Sequence, residues 1–76
     1  MSITVRFFAS VRERLGKAQE IIDSAGISNV ADVWKQSAQT ALPVNLLAAV
    51  NMEYAELTRS VRDGDEVAFF PPVTGG

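Results

Sequence analysis

Val30-Ala31-Asp32-Val33-Trp34-Lys35-Gln36-Ser37-Ala38-Gln39-Thr40-Ala41 is the stretch whose reading decides the fold. Val30, Val33, Trp34, Ser37, Ala38 and Ala41 step by three and four, one stripe of an α-helix that must face a core. Asn29 stands where a cap is needed, and Asp32 places a carboxylate in the first turn, where the helix dipole favours it. Pro43 ends the helix at or before Leu42, because a proline disfavours helical geometry in the residue ahead of it. A helix with a single apolar stripe needs a surface to cover, and the rest of the chain reads as strands.

Upstream, Ile3-Thr4-Val5-Arg6-Phe7-Phe8 alternates with period two. Ile3, Val5 and Phe7 share one face, and Thr4, Arg6 and Phe8 the other, which makes Phe8 an aromatic on an otherwise solvated face. Ser10-Val11-Arg12-Glu13 fits a capping box opening a short helical turn, with Val11 and Leu15 on one side and Gly16 as the left-handed stop. Residues 17–23 read as a second strand, and Ser24-Ala25-Gly26 as a turn. Downstream, Leu46-Leu47-Ala48-Ala49-Val50 is a continuous apolar run, consistent with a strand covered on both faces. Asn51-Met52-Glu53 reads as a turn, 54–57 as a short edge strand, and Asp63-Gly64-Asp65 as a tight turn. Val67-Ala68-Phe69-Phe70 is the last strand, stopped by Pro71-Pro72. One main amphipathic helix packed across one face of a mixed sheet, an α+β fold, is the natural two-layer solution.

Composition narrows the function. Seventy-six residues allow one small domain and no second core. Seven Lys+Arg against nine Asp+Glu give a net charge of −2, which argues against nucleic acid and anionic membrane surfaces. The absence of cysteine and histidine excludes a disulfide framework, a thiol nucleophile, a Cys/His zinc site and a histidine general base. Asp63, Asp65 and Glu66 resemble calcium ligands by type but lack the spacing of an EF-hand loop, so no metal site is expected. Arg12, Arg14 and Lys17 are interleaved with Glu13 and Glu20, as on a solvated face. No apolar run is long enough to span a bilayer and the N-terminus lacks a signal-peptide pattern, so the expected location is the cytoplasm.

Gly75-Gly76 matters by position. A free α-carboxylate is the one group here that stands out as a potential acyl donor, once its oxygen is turned into a leaving group, for instance by adenylation. Glycines without a Cβ pass through a channel too narrow for other residues. Val73, Thr74, Gly75 and Gly76 are therefore expected to form a flexible arm, projecting from a domain that spans 1–72. Ordering 73–76 costs roughly 4–8 kcal/mol at about 1–2 per residue, so a docking surface elsewhere must offset it. If Val67 and Phe69 face the helix, Phe70 is exposed as Phe8 is, and burying the two returns about 1.5–3 kcal/mol each. Two readings are open at this point: the phenylalanines dock a partner, or a second helix or a loop covers them as core. Tyr54, near a strand end, is a third candidate for the same surface.

On Gly64-Asp65-Glu66-Val67-Ala68-Phe69-Phe70-Pro71-Pro72-Val73-Thr74-Gly75-Gly76, with Val5-Arg6-Phe7-Phe8-Ala9, Val11-Arg12-Glu13 and Leu46-Leu47-Ala48-Ala49-Val50-Asn51, the chain resembles the small-subunit family of molybdopterin synthase. The resemblance implies a ubiquitin-like β-grasp fold, with the first and last strands adjacent at the sheet centre. It implies that Gly76 is adenylated by an E1-like activating enzyme using ATP and Mg²⁺, then converted to a thiocarboxylate with a sulfurtransferase as sulfur source. The arm would enter the active site of the large synthase subunit and give its sulfur to the cyclic pterin precursor, two donations building the dithiolene of molybdopterin. Catalytic side chains would belong to the large subunit and the activating enzyme, and this chain would bind no cofactor of its own. The family's apolar docking surface maps onto Phe8, Tyr54 and Phe70, in an expected heterotetramer of two large and two small subunits. A carrier for thiazole or another sulfur pathway, and a ubiquitin-like modifier joined through Gly76 to a lysine, share the Gly-Gly end. Phe69-Phe70-Pro71-Pro72 favours the molybdopterin member. An interaction domain with an idle tail is the remaining class.

Overall fold

The computed structural model of the chain describes residues 1–72. The arm expected over 73–76, with Val73, Thr74, Gly75 and Gly76, lies outside the described residues. The elements are β1 (Ser2–Phe7), α1 (Ala9–Leu15), β2 (Gln19–Asp23), α2 (Val30–Ala38), β3 (Leu47–Val50), β4 (Glu53–Ala55) and β5 (Glu66–Phe70). The strands form one sheet in the order β2-β1-β5-β3-β4. β1 and β5 run parallel at its centre, and every other neighbouring pair is antiparallel. This is the ubiquitin-like β-grasp arrangement that the resemblance implied.

Alternation along each strand sends one set of side chains into a single core. Ile3, Val5 and Phe7 of β1, Ile22 of β2, Ala48 and Val50 of β3, and Val67 and Phe69 of β5 are buried there. Val30, Val33 and Trp34 of α2 and Val11 of α1 close it from the other side. Phe7 and Phe69 stack with ring centroids 6.1 Å apart, and the Trp34 indole meets both edge-on, at 6.4 and 5.0 Å. Such aromatic pairs add about 0.5–1.5 kcal/mol each beyond the area they bury. The one buried polar side chain among the described residues, Ser37, donates to the Val33 carbonyl at 2.6 Å.

The start of α2 follows its sequence signals. Asn29 Oδ1 accepts from the Asp32 N–H at 2.9 Å, which satisfies a donor of the first turn, and Asp32 Oδ2 accepts from the N–H of Ser28, the residue ahead of the cap, at 2.9 Å. Its end does not. The helix stops at Ala38, short of Ala41, because Gln39 turns left-handed at φ 54° and the Trp34 Nε1–H captures the Thr40 carbonyl at 2.8 Å. Ala41 is consequently exposed rather than part of the buried stripe. Lys17, read as part of a solvated face, instead reaches the Ser37 carbonyl at 2.8 Å while pairing with Glu20, a cation placed where the helix dipole favours one.

Three further readings are corrected. Ser10 caps nothing: α1 begins at Ala9, Phe8 holds the cap position, and no side chain satisfies it. β1 runs into α1 with only Phe8 between them, so the turn is made by the backbone. The Phe8 carbonyl accepts from Val11 and Arg12, and Ala9 takes φ 52°. The run Leu46–Val50 is covered on one face, not both: Ala48 and Val50 are buried while Leu47 and Ala49 are only half-buried. The edge strand is Glu53–Ala55 rather than 54–57.

At the opposite end of the sheet, the Gly64 N–H donates to the Ser2 carbonyl at 2.8 Å, and Gly64 takes φ 89°, a conformation that favours glycine. Asp65 next to it accepts from the Arg62 N–H at 2.8 Å and from Asn51 Nδ2 at 3.0 Å, while Asn51 Oδ1 accepts from the Glu66 N–H at 3.0 Å. The backbone hydrogen bond from Arg62, then the Asn51 amide, hold the Asp65 carboxyl below its ordinary value of 3.8.

Two outcomes are expected. Left-handed geometry costs a non-glycine residue about 1–2 kcal/mol, so Ala9→Gly should raise stability by up to about 1 kcal/mol once glycine's greater chain entropy is deducted. Urea denaturation measures this, and a lowered midpoint would show that the joint is not strained. Because the folded pKa of Asp65 lies below the unfolded one, its contribution is present above the unfolded pKa and is lost as pH falls through the folded pKa. Asp65→Asn should therefore be less stable than the parent at pH 7, with the difference shrinking as pH falls below about 4. A difference independent of pH would mean that the charge of Asp65 contributes nothing.

Candidate functional site

The same alternation that fills the core leaves the second sheet face uncovered. The register places Arg6 beside Ala68, Ala68 beside Ala49, and Ala49 beside Tyr54, one row running across four strands. Phe70 and Leu47 form the next row, towards the C-terminal end of β5. Phe8 joins that row from just beyond β1, its N–H donating to the Phe69 carbonyl at 3.1 Å. Thr4 and Glu66 form the row on the other side.

Small residues in the middle and large ones around them make a hollow. Ala49 and Ala68 are its floor, Phe8, Phe70, Tyr54 and Met52 stand around it, and Arg6 and Glu66 close one end, enclosing an open concavity of about 390 Å³. Phe8 is 46% exposed and Tyr54 75%, while Phe70 is half-buried against Tyr54 with ring centroids 5.8 Å apart. Met52 projects from the β3–β4 hairpin, whose two central residues Asn51 and Met52 both take positive φ, the geometry that matches strand twist in a two-residue turn. Its flexible thioether suits a surface that must adapt to another.

All three residues singled out from the sequence, Phe8, Tyr54 and Phe70, thus line one concavity. The alternative in which a helix covers both phenylalanines does not hold among the described residues, since α1 sends Val11 into the same core as α2. Met52, the floor residues Ala49 and Ala68, and the Arg6–Glu66 pair are the members that sequence reading missed. Ala49 could have been found by treating 46–50 as alternating. Arg6 and Glu66, whose Nε and Oε2 atoms lie 2.9 Å apart, meet only through the parallel register of β1 and β5.

Chemically the face can bind but has little with which to catalyse. Its polar groups are a half-exposed ion pair and a phenol at the rim. Among the described residues no group of three His, Cys, Asp or Glu side chains is placed to hold a metal ion, and no helix is long and apolar enough to cross a membrane. What the fold does is position: β5, which contributes Phe70 to the hollow, ends there and leads through Pro71-Pro72 towards 73–76.

Comparison with known proteins gives consistent findings. The model of the ThiS family matches residues 5–76. The molybdopterin synthase sulfur carrier subunit of Escherichia coli is 45% identical over 82 residues, covering 97% of this chain and 99% of the relative. That of Haemophilus influenzae is 35% identical over 83 residues, covering 97% and 99%. Among solved structures, the crystal structure of SAMP1 from Haloferax volcanii matches with a TM-score of 0.78 and 27% identity, over the whole of both chains.

The adjacent phenylalanines Phe7 and Phe8 provide a direct check on the two faces. Phe7→Ala should cost roughly 3–5 kcal/mol, as for a core aromatic, whereas Phe8→Ala should leave the denaturation midpoint nearly unchanged. Comparable losses from both would mean that Phe8 is part of the folded core.

Proposed function

The chain belongs to the ThiS family, and from that premise we propose that it is the sulfur-carrier subunit of a molybdopterin synthase. One observation carries the reading: Phe70 both lines the open concavity and ends the strand that leads through Pro71-Pro72 to Gly75-Gly76. A partner seated on that face necessarily sits beside the start of the arm. The 45% identity to the carrier subunit of the Escherichia coli enzyme supports the same assignment.

In this reading Gly76 is the sole reacting group. An E1-like enzyme, using ATP and Mg²⁺, adenylates the Gly76 carboxylate with release of pyrophosphate. The persulfide of a sulfurtransferase displaces AMP to form an acyl disulfide, and a second thiol cleaves its S–S bond, forming a disulfide and releasing the Gly76 thiocarboxylate. The large synthase subunit then docks on the concavity through Phe8, Tyr54 and Phe70. Val73, Thr74, Gly75 and Gly76 thread its active site and deliver sulfur to the cyclic pterin precursor. Two such transfers complete the dithiolene, in an assembly of two large and two small subunits working in the cytoplasm, where ATP is at hand. Burial of the aromatic side chains, at about 1.5–3 kcal/mol each, offsets the ordering of the arm. The chain needs no catalytic side chain and no bound cofactor of its own, which accords with a sequence without Cys or His.

Intact mass spectrometry tests the carrier role. Incubation with ATP, the activating enzyme and a sulfur source should add the mass of one oxygen-for-sulfur exchange at Gly76, and deletion of Gly76 should abolish that gain while leaving docking intact. Higher-mass lysine conjugates in place of the exchange would make the chain a protein modifier, and transfer to a thiazole precursor would assign it to the sister pathway. Phe70→Arg should remove binding to the large subunit with an unchanged circular dichroism spectrum. Undiminished affinity would place the docking surface elsewhere.

A further inference from the structure

The concavity is not wholly apolar. Arg6 and Glu66 stand at one end of it, on neighbouring central strands, their side chains 47% and 38% exposed. A partner that buries Phe8 and Phe70 must also desolvate this pair, because Arg6 shares its row with Ala68, the floor of the hollow. A buried ion pair repays its desolvation only when its remaining hydrogen-bonding groups are also satisfied. Arg6 carries five N–H donors, and Glu66 engages it through the Nε side at 2.9 Å. Among the described residues Glu66 is the one charged partner of Arg6. Gln19, the residue paired with Arg6 on β2, is neutral, and Thr4 and Phe8, the flanking residues on the same face of β1, bring no charge. The half-exposed guanidinium, at one end of the concavity, therefore has N–H donors to spare beyond its contact with Glu66.

We propose that Arg6, paired with Glu66 in the free chain, is a specificity-determining residue of this docking face, and that the surface it accepts carries a carboxylate next to the apolar anchor that fills the hollow. This rests on the reading of the concavity as the site for the large synthase subunit. A guanidinium whose Nε lies beside Glu66 keeps its two Nη groups as a planar fork, the geometry that a carboxylate meets with two parallel hydrogen bonds. The aromatic side chains supply non-directional attachment, which any apolar surface could use. The guanidinium makes the face selective, since a partner without an acceptor at that place leaves a buried cation incompletely paired.

The test is binding of the full chain to the large synthase subunit across a salt series, with three variants. Arg6→Met keeps the side-chain stem and removes the charge; affinity should fall at least about tenfold, and its dependence on salt should flatten. Glu66→Gln removes the internal partner but keeps the shape; affinity should hold within about threefold, because the partner's carboxylate takes over the guanidinium. Phe70→Arg serves as the control for the docking face. If Phe70→Arg abolishes binding while Arg6→Met binds as tightly as the parent with the same salt dependence, the docking reading stands and the role of Arg6 is overturned. A Glu66→Gln loss as large as that of Arg6→Met would also overturn it, since the internal pair rather than the partner's carboxylate would then be what matters. If Phe70→Arg binds normally, the docking reading itself fails.

Discussion

The parallel pairing of β1 with β5 is the contact on which the rest depends. It sets Val5 beside Val67 and Phe7 beside Phe69, stacking the two phenylalanines under the Trp34 indole. Parallel neighbours cannot be joined by a tight turn, so the intervening chain must cross over, and here it carries α2 across the core face. From this one pairing follow the two-layer architecture, the position of β5 inside the sheet and the exit of the chain after Phe70. It also makes Phe8 and Phe70 neighbours on the uncovered side, although they come from opposite ends of the sequence.

The two faces of the sheet separate two tasks within a small chain. The core side holds the large apolar side chains and, among the described residues, a single buried polar group that is fully paired. The open side carries alanines in the middle, aromatics at one end and an ion pair at the other. Neither side needs the chemistry of the other. The open side can therefore vary without disturbing the core, so that one fold can carry different surfaces.

Much of this was legible in the sequence because period-two alternation is a local property. Ile3, Val5 and Phe7 on one parity and Phe8 on the other, like Val67 and Phe69 against Phe70, could be sorted without knowing the strand order. The Asn29 cap was legible for the same reason, since its partner Asp32 lies three residues away. The misreadings came where tertiary contacts overrule local signals. Ser10 and Glu13 look like a capping box, yet Phe8 is tied to Phe69 and forces the turn into Ala9. Nothing near Ala41 announces that Trp34 will draw the Thr40 carbonyl back and end the helix. Leu47 and Ala49 read as buried because an apolar run carries no mark of which face stays open. The Arg6–Glu66 pair was invisible in principle, since it requires the register of two strands that the sequence holds far apart.

The central place of β5 has a consequence for how the protein comes into being. On the ribosome, β1 with β2, and later β3 with β4, emerge as hairpins, and isolated hairpins are at best marginally stable. The strand that joins them is the last of the described strands, so the sheet has no middle until β5 has been made. Slow, non-local closure of this kind exposes apolar segments meanwhile. In return, the open concavity, lined by Phe8 just beyond the first strand and Phe70 of the last, is absent from any nascent chain that has not reached β5. Whatever binds that concavity therefore meets only molecules whose translation has passed β5, and shorter nascent chains cannot act as decoys for it.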